Sequence, residues 1–199
     1  MPSPEDRVRE KMDKLWPLMD ELNHSRPMKI LEVIHVVNQM VADGVIERYA
    51  IGGAVGATFY LEPVSTLDVD IFIELHAAPG SVLLTLDPIF SYLRDRGCTM
   101  EGEHILISGW PVQFIPPPSP LAAEALANAT EVDVTGLSAR VFTPEYLAAI
   151  ALQTGRAKDK ARLLQFIEAH ALDRTKFEEL VECHQLVDQW REFQRQFVQ

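Results

Sequence analysis

A chain of 199 residues fits one compact domain, or one domain with a helical appendage, and its 47% of apolar residues can build a core without covalent staples. The net charge of −11 sets most of the surface against phosphate backbones, which excludes broad duplex nucleic-acid binding but leaves room for a pocket holding one nucleotide or one RNA end. Cys98 and Cys183 form no CxxC pair, no apolar h-region opens the chain and no apolar run approaches about 20 residues, so the expectation is a cytoplasmic protein with no membrane association.

The predicted elements begin with a helix over 4–22 that Pro17 should kink or break. Ile30, Val33, Ile34, Val37 and Val41 then follow helical spacing over 28–43, with Gly44 as a C-terminal stop. The period changes over Ile46 to Ile51, a short strand, before Gly52-Gly53 turns into a small-residue helix through about Leu61. Leu67 to Leu75 reads as a buried strand. A helix over 87–96 ends at Gly97, strands follow near 103–108 and 111–115, and the short run Pro116-Pro117-Pro118-Ser119-Pro120 reads as a stiff connector. A helix over 119–129, strands near 130–135 and 138–142, and helices onward from Pro144 complete the chain, with Thr143 as an N-cap. Leu186, Trp190, Phe193 and Phe197 make an apolar stripe on the last helix. The class is α/β (α+β), a mixed sheet flanked by helices, in two parts: a core over 1–143 with N-terminal helices, and a helical part over 144–199 packed on it.

Chemistry concentrates in the segment from Tyr49 to Glu74. Alternate side chains of a strand share a face, so Asp68 and Asp70 are neighbours, followed by Phe72 and Glu74, while Leu67, Val69, Ile71 and Ile73 fill the other face. Two carboxylates side by side repel unless a cation or proton lies between them, and their hard oxygens suit Mg²⁺ or Mn²⁺ shared with substrate phosphates. A D-x-D also occurs as two solvated aspartates on a sheet edge, so its context matters. Gly52-Gly53 closes one strand and opens a helix, where backbone N–H groups can face an anion. It is also the composition of a plain tight turn, and it forms neither a G-x-G-x-x-G nor a Walker A run. His170, Cys183 and His184 lack the further thiols of a zinc site and read as packing residues.

A strand ending in Gly-Gly, a small-residue helix and a Thr66-x-Asp68-x-Asp70 strand together resemble the nucleotidyltransferase superfamily. The stretch from Pro144 to Arg162, with Gly155-Arg156-Ala157-Lys158-Asp159, is similar to small bacterial members, the minimal nucleotidyltransferase and AbiEii-like toxin branches. The resemblance spans roughly residues 46–170. It implies a metal-dependent transfer of a nucleotidyl group from an NTP to an unidentified acceptor, with an antitoxin-like protein partner in the toxin branch. It implies Mg²⁺ or Mn²⁺ on Asp68 and Asp70, phosphates against Gly52 and Gly53, a hydroxyl contact from Ser65 or Thr66, Lys158 beside the phosphates and Asp159 supporting the site.

One position departs from the pattern. The superfamily sets a third carboxylate on a neighbouring strand, and here that strand is Trp110-Pro-Val-Gln-Phe-Ile, with Gln113 in the slot. The Val112-Gln113-Phe114 run resembles an uncharacterised bacterial subgroup. Glutamine cannot act as a general base and is a neutral ligand. Either Glu74, Glu101 or Glu103 supplies the third acid, or the chain is a non-catalytic nucleotide-binding or protein-interaction domain that kept the fold.

Overall fold

The computed structural model describes residues 26–62, 66, 68–76 and 85–198, so the predicted helix over 4–22 and the side chains of Ser65 and Leu67 lie outside it. The described elements, in chain order, are α1 (Arg26–Ala42), β1 (Arg48–Ile51), α2 (Gly53–Thr58), β2 (Val69–Glu74), α3 (Asp87–Arg94), β3 (Thr99–Glu101), β4 (His104–Ile107), β5 (Trp110–Ile115), α4 (Pro120–Ala127), β6 (Thr130–Val134), β7 (Leu137–Val141), α5 (Pro144–Thr154), α6 (Ala157–Glu168), α7 (Arg174–Cys183) and α8 (Val187–Phe197). The strands form a single mixed sheet of order β3-β4-β5-β2-β1-β7-β6. β2 lies between β1, antiparallel to it, and β5, parallel to it, with Asp70 opposite Gln113 and Phe72 opposite Ile115.

The alternation along β2 divides the interior into two cores. Val69, Ile71 and Ile73, all at 1% exposure or less, face a core shared with Ile30, Val33, Ile34 and Val37 of α1 and with Ile89 and Leu93 of α3. Phe72 points the other way, joining Phe142, Leu147, Ala151, Leu163 and Phe166 in a core that includes α4 to α8. Phe72 and Phe142 meet in a tilted ring pair with centroids 4.7 Å apart. On α8 the predicted stripe is present. Leu186 and Phe193 are buried, Trp190 stacks on Phe193, and Phe193 contacts Phe197, whose ring is partly in water.

Several boundaries differ from those expected, each for a local reason. On α1 the inward position of the last turn belongs to Met40, fully buried, while Val41 is 36% exposed. Residues 37, 40 and 41 are all compatible with one helical face, and the i+3 member wins here. Gly44 ends that helix with φ of +70°, as its position suggests. β3 was missed because Thr99, Met100 and Glu101 are all exposed edge residues with no apolar alternation. Thr143 occupies the N-cap of α5, but its side chain makes no cap bond to the backbone. Its hydroxyl donates instead to Glu145 at 2.8 Å, and Glu145 accepts from the Asp173 N–H at the start of α7.

Candidate functional site

The face of β2 and β5 that carries Asp70 and Gln113, with Asp68 just ahead of β2, opens into a cleft of about 750 Å³. Its walls come from the β1–α2 turn at Gly53, from Thr66, from Ile115 at the end of β5, from α4, and from α5 and α6. Both aspartates, Gln113, Thr66, Lys158 and Asp159, far apart in the chain, line this one space.

Gly53 explains how Asp70 fits. Its φ is +58°, and a Cβ built on it would lie 1.9 Å from Asp70 Oδ2, so the carboxylate rests directly against the glycine backbone. Gly52 has a different part. Its N–H donates to the Asp70 carbonyl at 2.9 Å, and a Cβ there would strike the Phe72 ring at 2.5 Å. The expectation that Gly52 offers its N–H to a phosphate therefore fails, because the sheet already uses that donor. Thr66 Oγ1 donates to Asp68 Oδ1 at 3.1 Å, so the only described member of the Ser65–Thr66 pair serves the aspartate directly.

The electrostatics of the aspartate pair are unbalanced. Burial, and then the charge of Asp68, push the Asp70 carboxyl above its ordinary range, against the opposing pull of Lys158, Arg162 and Arg156. In the folded chain Asp70 thus holds its proton to higher pH than in the unfolded chain, so its ionisation lowers stability as pH rises from about 3.8 through the raised value. Asp70→Asn should consequently melt higher than wild type near neutral pH in metal-free buffer, with the advantage vanishing toward pH 4. Melting curves in a chelating buffer across that range check this, and a lower-melting Asn variant at neutral pH would contradict it.

Across the cleft stands a basic group built on a buried acid. Asp159, 3% exposed, is the one buried charged residue among those described. Its carboxylate accepts from Arg156 Nε at 2.6 Å and lies 3.6 Å from Arg162 Nη1. Arg156, Lys158 and Arg162 all line the cleft, whereas Lys160, half a turn away from Lys158, does not. These four basic residues, close in sequence, therefore divide into three that line the cleft and one that does not.

The candidate third acids are placed elsewhere. Glu74 pairs with Arg48 at 2.7 Å toward the far end of β2, and exposed Glu101 and Glu103 lie at the β3–β4 hairpin, away from the cleft. Gln113 occupies the neighbouring-strand position beside Asp70. Sequence reasoning missed His104, whose Nε2 is 3.8 Å from Asp68 Oδ2, because β4 joins this face only through sheet pairing. His184 bonds to Glu124 at 2.8 Å, whereas Cys183 and His170 are exposed, so the packing role expected of those two residues fails.

The donor set fits a hard divalent cation. Burial first, and then the charge of Asp68, raise the Asp70 pKa, a cost that a cation held by both carboxylates would relieve, and the Gln113 side chain lines the same cleft with a neutral amide oxygen. Among the described residues no cluster of three or more His, Cys, Asp or Glu side chains suits a metal, so a cation here would complete its shell with water or substrate oxygens.

No family model matches the chain, and no curated protein matches it in sequence. Solved structures do. An antigenic nucleotidyltransferase-like protein from Paracoccidioides brasiliensis superposes with a TM-score of 0.52 at 18% identity, over 71% of this chain and 75% of that one. The solution structure of the antibiotic-resistance factor ANT(2'')-Ia superposes with a TM-score of 0.51 at 13% identity, over 86% of this chain and 99% of that one. These likenesses establish a nucleotidyltransferase-type α/β fold. Among the described residues no helix is long and apolar enough to cross a membrane.

Proposed function

We propose that the chain is a nucleotidyltransferase that binds an NTP and a divalent cation in the cleft and transfers the nucleotidyl group to an acceptor yet to be identified. The observation that carries this is the convergence of Asp68 and Asp70 with Arg156, Lys158 and Arg162 on opposite walls of one cleft. Asp68 and Asp70 would hold Mg²⁺ or Mn²⁺, which supplies Lewis-acid activation of the acceptor hydroxyl and neutralises phosphate charge. Lys158 acts as a point charge on the phosphates, and the two arginines add planar donors suited to phosphate oxygens. Asp159 touches no substrate in this scheme; it holds both guanidinium groups toward the cleft. Gly53 supplies the clearance that lets Asp70 approach the β1–α2 turn.

Gln113 favours a second reading, a nucleotide-binding or protein-interaction domain without catalysis, since an amide cannot take the acceptor's proton. Incubation with each labelled NTP and total cell extract separates the two. A transferase labels an RNA, a protein or a small molecule and releases pyrophosphate, while a binding domain takes up NTP with Mg²⁺ and releases none. Gln113→Asp should bind Mg²⁺ more tightly than wild type by calorimetry, because a third hard anionic ligand joins the pair. Without metal it should be the less stable protein, since three crowded carboxylates repel. Unchanged metal affinity would remove Gln113 from the site.

A further inference from the structure

A centre that holds two divalent cations keeps them about 3.5–4 Å apart, so it must offer enough negative charge to offset their repulsion. In this cleft the sheet offers Asp68 and Asp70, and then the neutral amide of Gln113 in the position paired with Asp70. Among the described residues no third His, Cys, Asp or Glu completes a metal cluster with them. The internal residues outside that description, 63–65, 67 and 77–84, include no Asp or Glu. Asp159 also lines the cleft, but its oxygens are committed to Arg156 at 2.6 Å and Arg162 at 3.6 Å. The oxygens of the aspartate pair are restricted as well. Thr66 Oγ1 donates to Asp68 Oδ1, and Asp70 Oδ2 packs on the Gly53 backbone. A carboxylate that bridges two cations gives one oxygen to each, and here each has an oxygen already held against the protein.

Positive charge is built into the protein instead. Arg156, Lys158 and Arg162 line the same cleft, and the charge of each favours the ionised form of Asp70. We infer that the cleft takes one divalent cation per chain, on Asp68 and Asp70, and that Arg156, Lys158 and Arg162 neutralise the phosphate charge a second cation would otherwise meet. The inference rests on the metal and nucleotide reading above. Gln113 sets the limit, because its amide supplies an oxygen without the negative charge that a second ion needs. The side chains opposite then do the remaining work, as fixed donors to phosphate oxygens.

Electron paramagnetic resonance of Mn²⁺ bound to the full chain, alone and with inorganic tripolyphosphate, tests this. For Mn²⁺ alone, the double variant Asp68→Asn with Asp70→Asn is the blank, since ions scattered over the acidic surface bind it equally. Above that blank, wild type should hold one Mn²⁺ per chain. Its spectrum should be that of an isolated ion, and should stay free of spin coupling when tripolyphosphate is added. Gln113→Asp should take up a second ion and show coupling between neighbours. In Mn²⁺-loaded protein, Lys158→Ala should weaken tripolyphosphate binding by roughly tenfold or more without changing the ion count. A coupled pair of ions in wild type overturns the inference and leaves the nucleotide reading standing. A single ion in Gln113→Asp overturns the role given to Gln113, and unchanged tripolyphosphate affinity in Lys158→Ala overturns that of the basic wall. No Mn²⁺ above the blank in wild type removes the metal reading, and this inference with it.

Discussion

Replacing Asp68 and Asp70 together by Asn should abolish the stabilisation that Mg²⁺ or Mn²⁺ is expected to give the wild-type chain. A ligand that binds only the folded state stabilises it by an amount set by its concentration relative to Kd. At about ten times Kd the gain is about 1.4 kcal/mol, or roughly 3–6 °C in Tm for a chain of this size. The two carboxylates share a strand face and line the same cleft, so the effect should belong to the pair. The double variant should also lose the burial cost of the Asp70 charge and its repulsion with Asp68, and start from a higher Tm than metal-free wild type. Thermal melts with and without metal decide the matter. A double variant that responds to metal as wild type does would put the cation elsewhere.

Asp159→Ala should be the most damaging single substitution in the site. It strips the buried partner from Arg162, whose side chain is only 15% exposed, and from Arg156, which is 61% exposed and can retreat into water. Leaving one charge buried without its partner costs about 3 kcal/mol, or roughly 6–12 °C in Tm. The same change frees both guanidinium groups from their fixed directions, so NTP affinity should fall with stability. Asp159→Asn keeps the shape and an acceptor oxygen, and should recover part of both losses. Denaturant unfolding and NTP titration of the two variants measure this. An alanine variant of wild-type stability would mean that the Arg156–Asp159–Arg162 contacts carry little energy.

How much of this was legible in the sequence follows from the range of each signal. The period of two along β2 is local, so the shared face of Asp68 and Asp70 and the opposite face of Val69, Ile71 and Ile73 could be read directly. The placement of Gln113 beside Asp70 comes from the family resemblance, whose apolar–Asp–apolar slot Val112 to Phe114 matches, and β2 pairs with β5 in that register. The division of Arg156, Lys158, Lys160 and Arg162 could not be read, because it depends on how α6 is rotated against the sheet. His104 reaches Asp68 from a strand beyond β5, a pairing made only by tertiary packing. Gly52 misled for a similar reason. A Gly-Gly turn signals backbone donors near an anion, yet the sheet claims one of them through the Asp70 carbonyl.

That this cleft holds a nucleoside triphosphate by its phosphates is tested most directly by titrating NTP with Mg²⁺ into wild type, Lys158→Ala and Lys160→Ala. Lys158 faces Asp70 across the cleft and Lys160 does not line it. A charge-assisted hydrogen bond to phosphate is worth about 1.5–3 kcal/mol, so Lys158→Ala should weaken binding by roughly tenfold or more. Its metal-free, nucleotide-free Tm should stay close to that of wild type, because the side chain is exposed. Lys160→Ala should bind within about twofold of wild type. Binding lost in Lys158→Ala and kept in Lys160→Ala is the predicted result; no NTP binding by wild type, or equal losses in the two variants with equal sensitivity to salt, would contradict it.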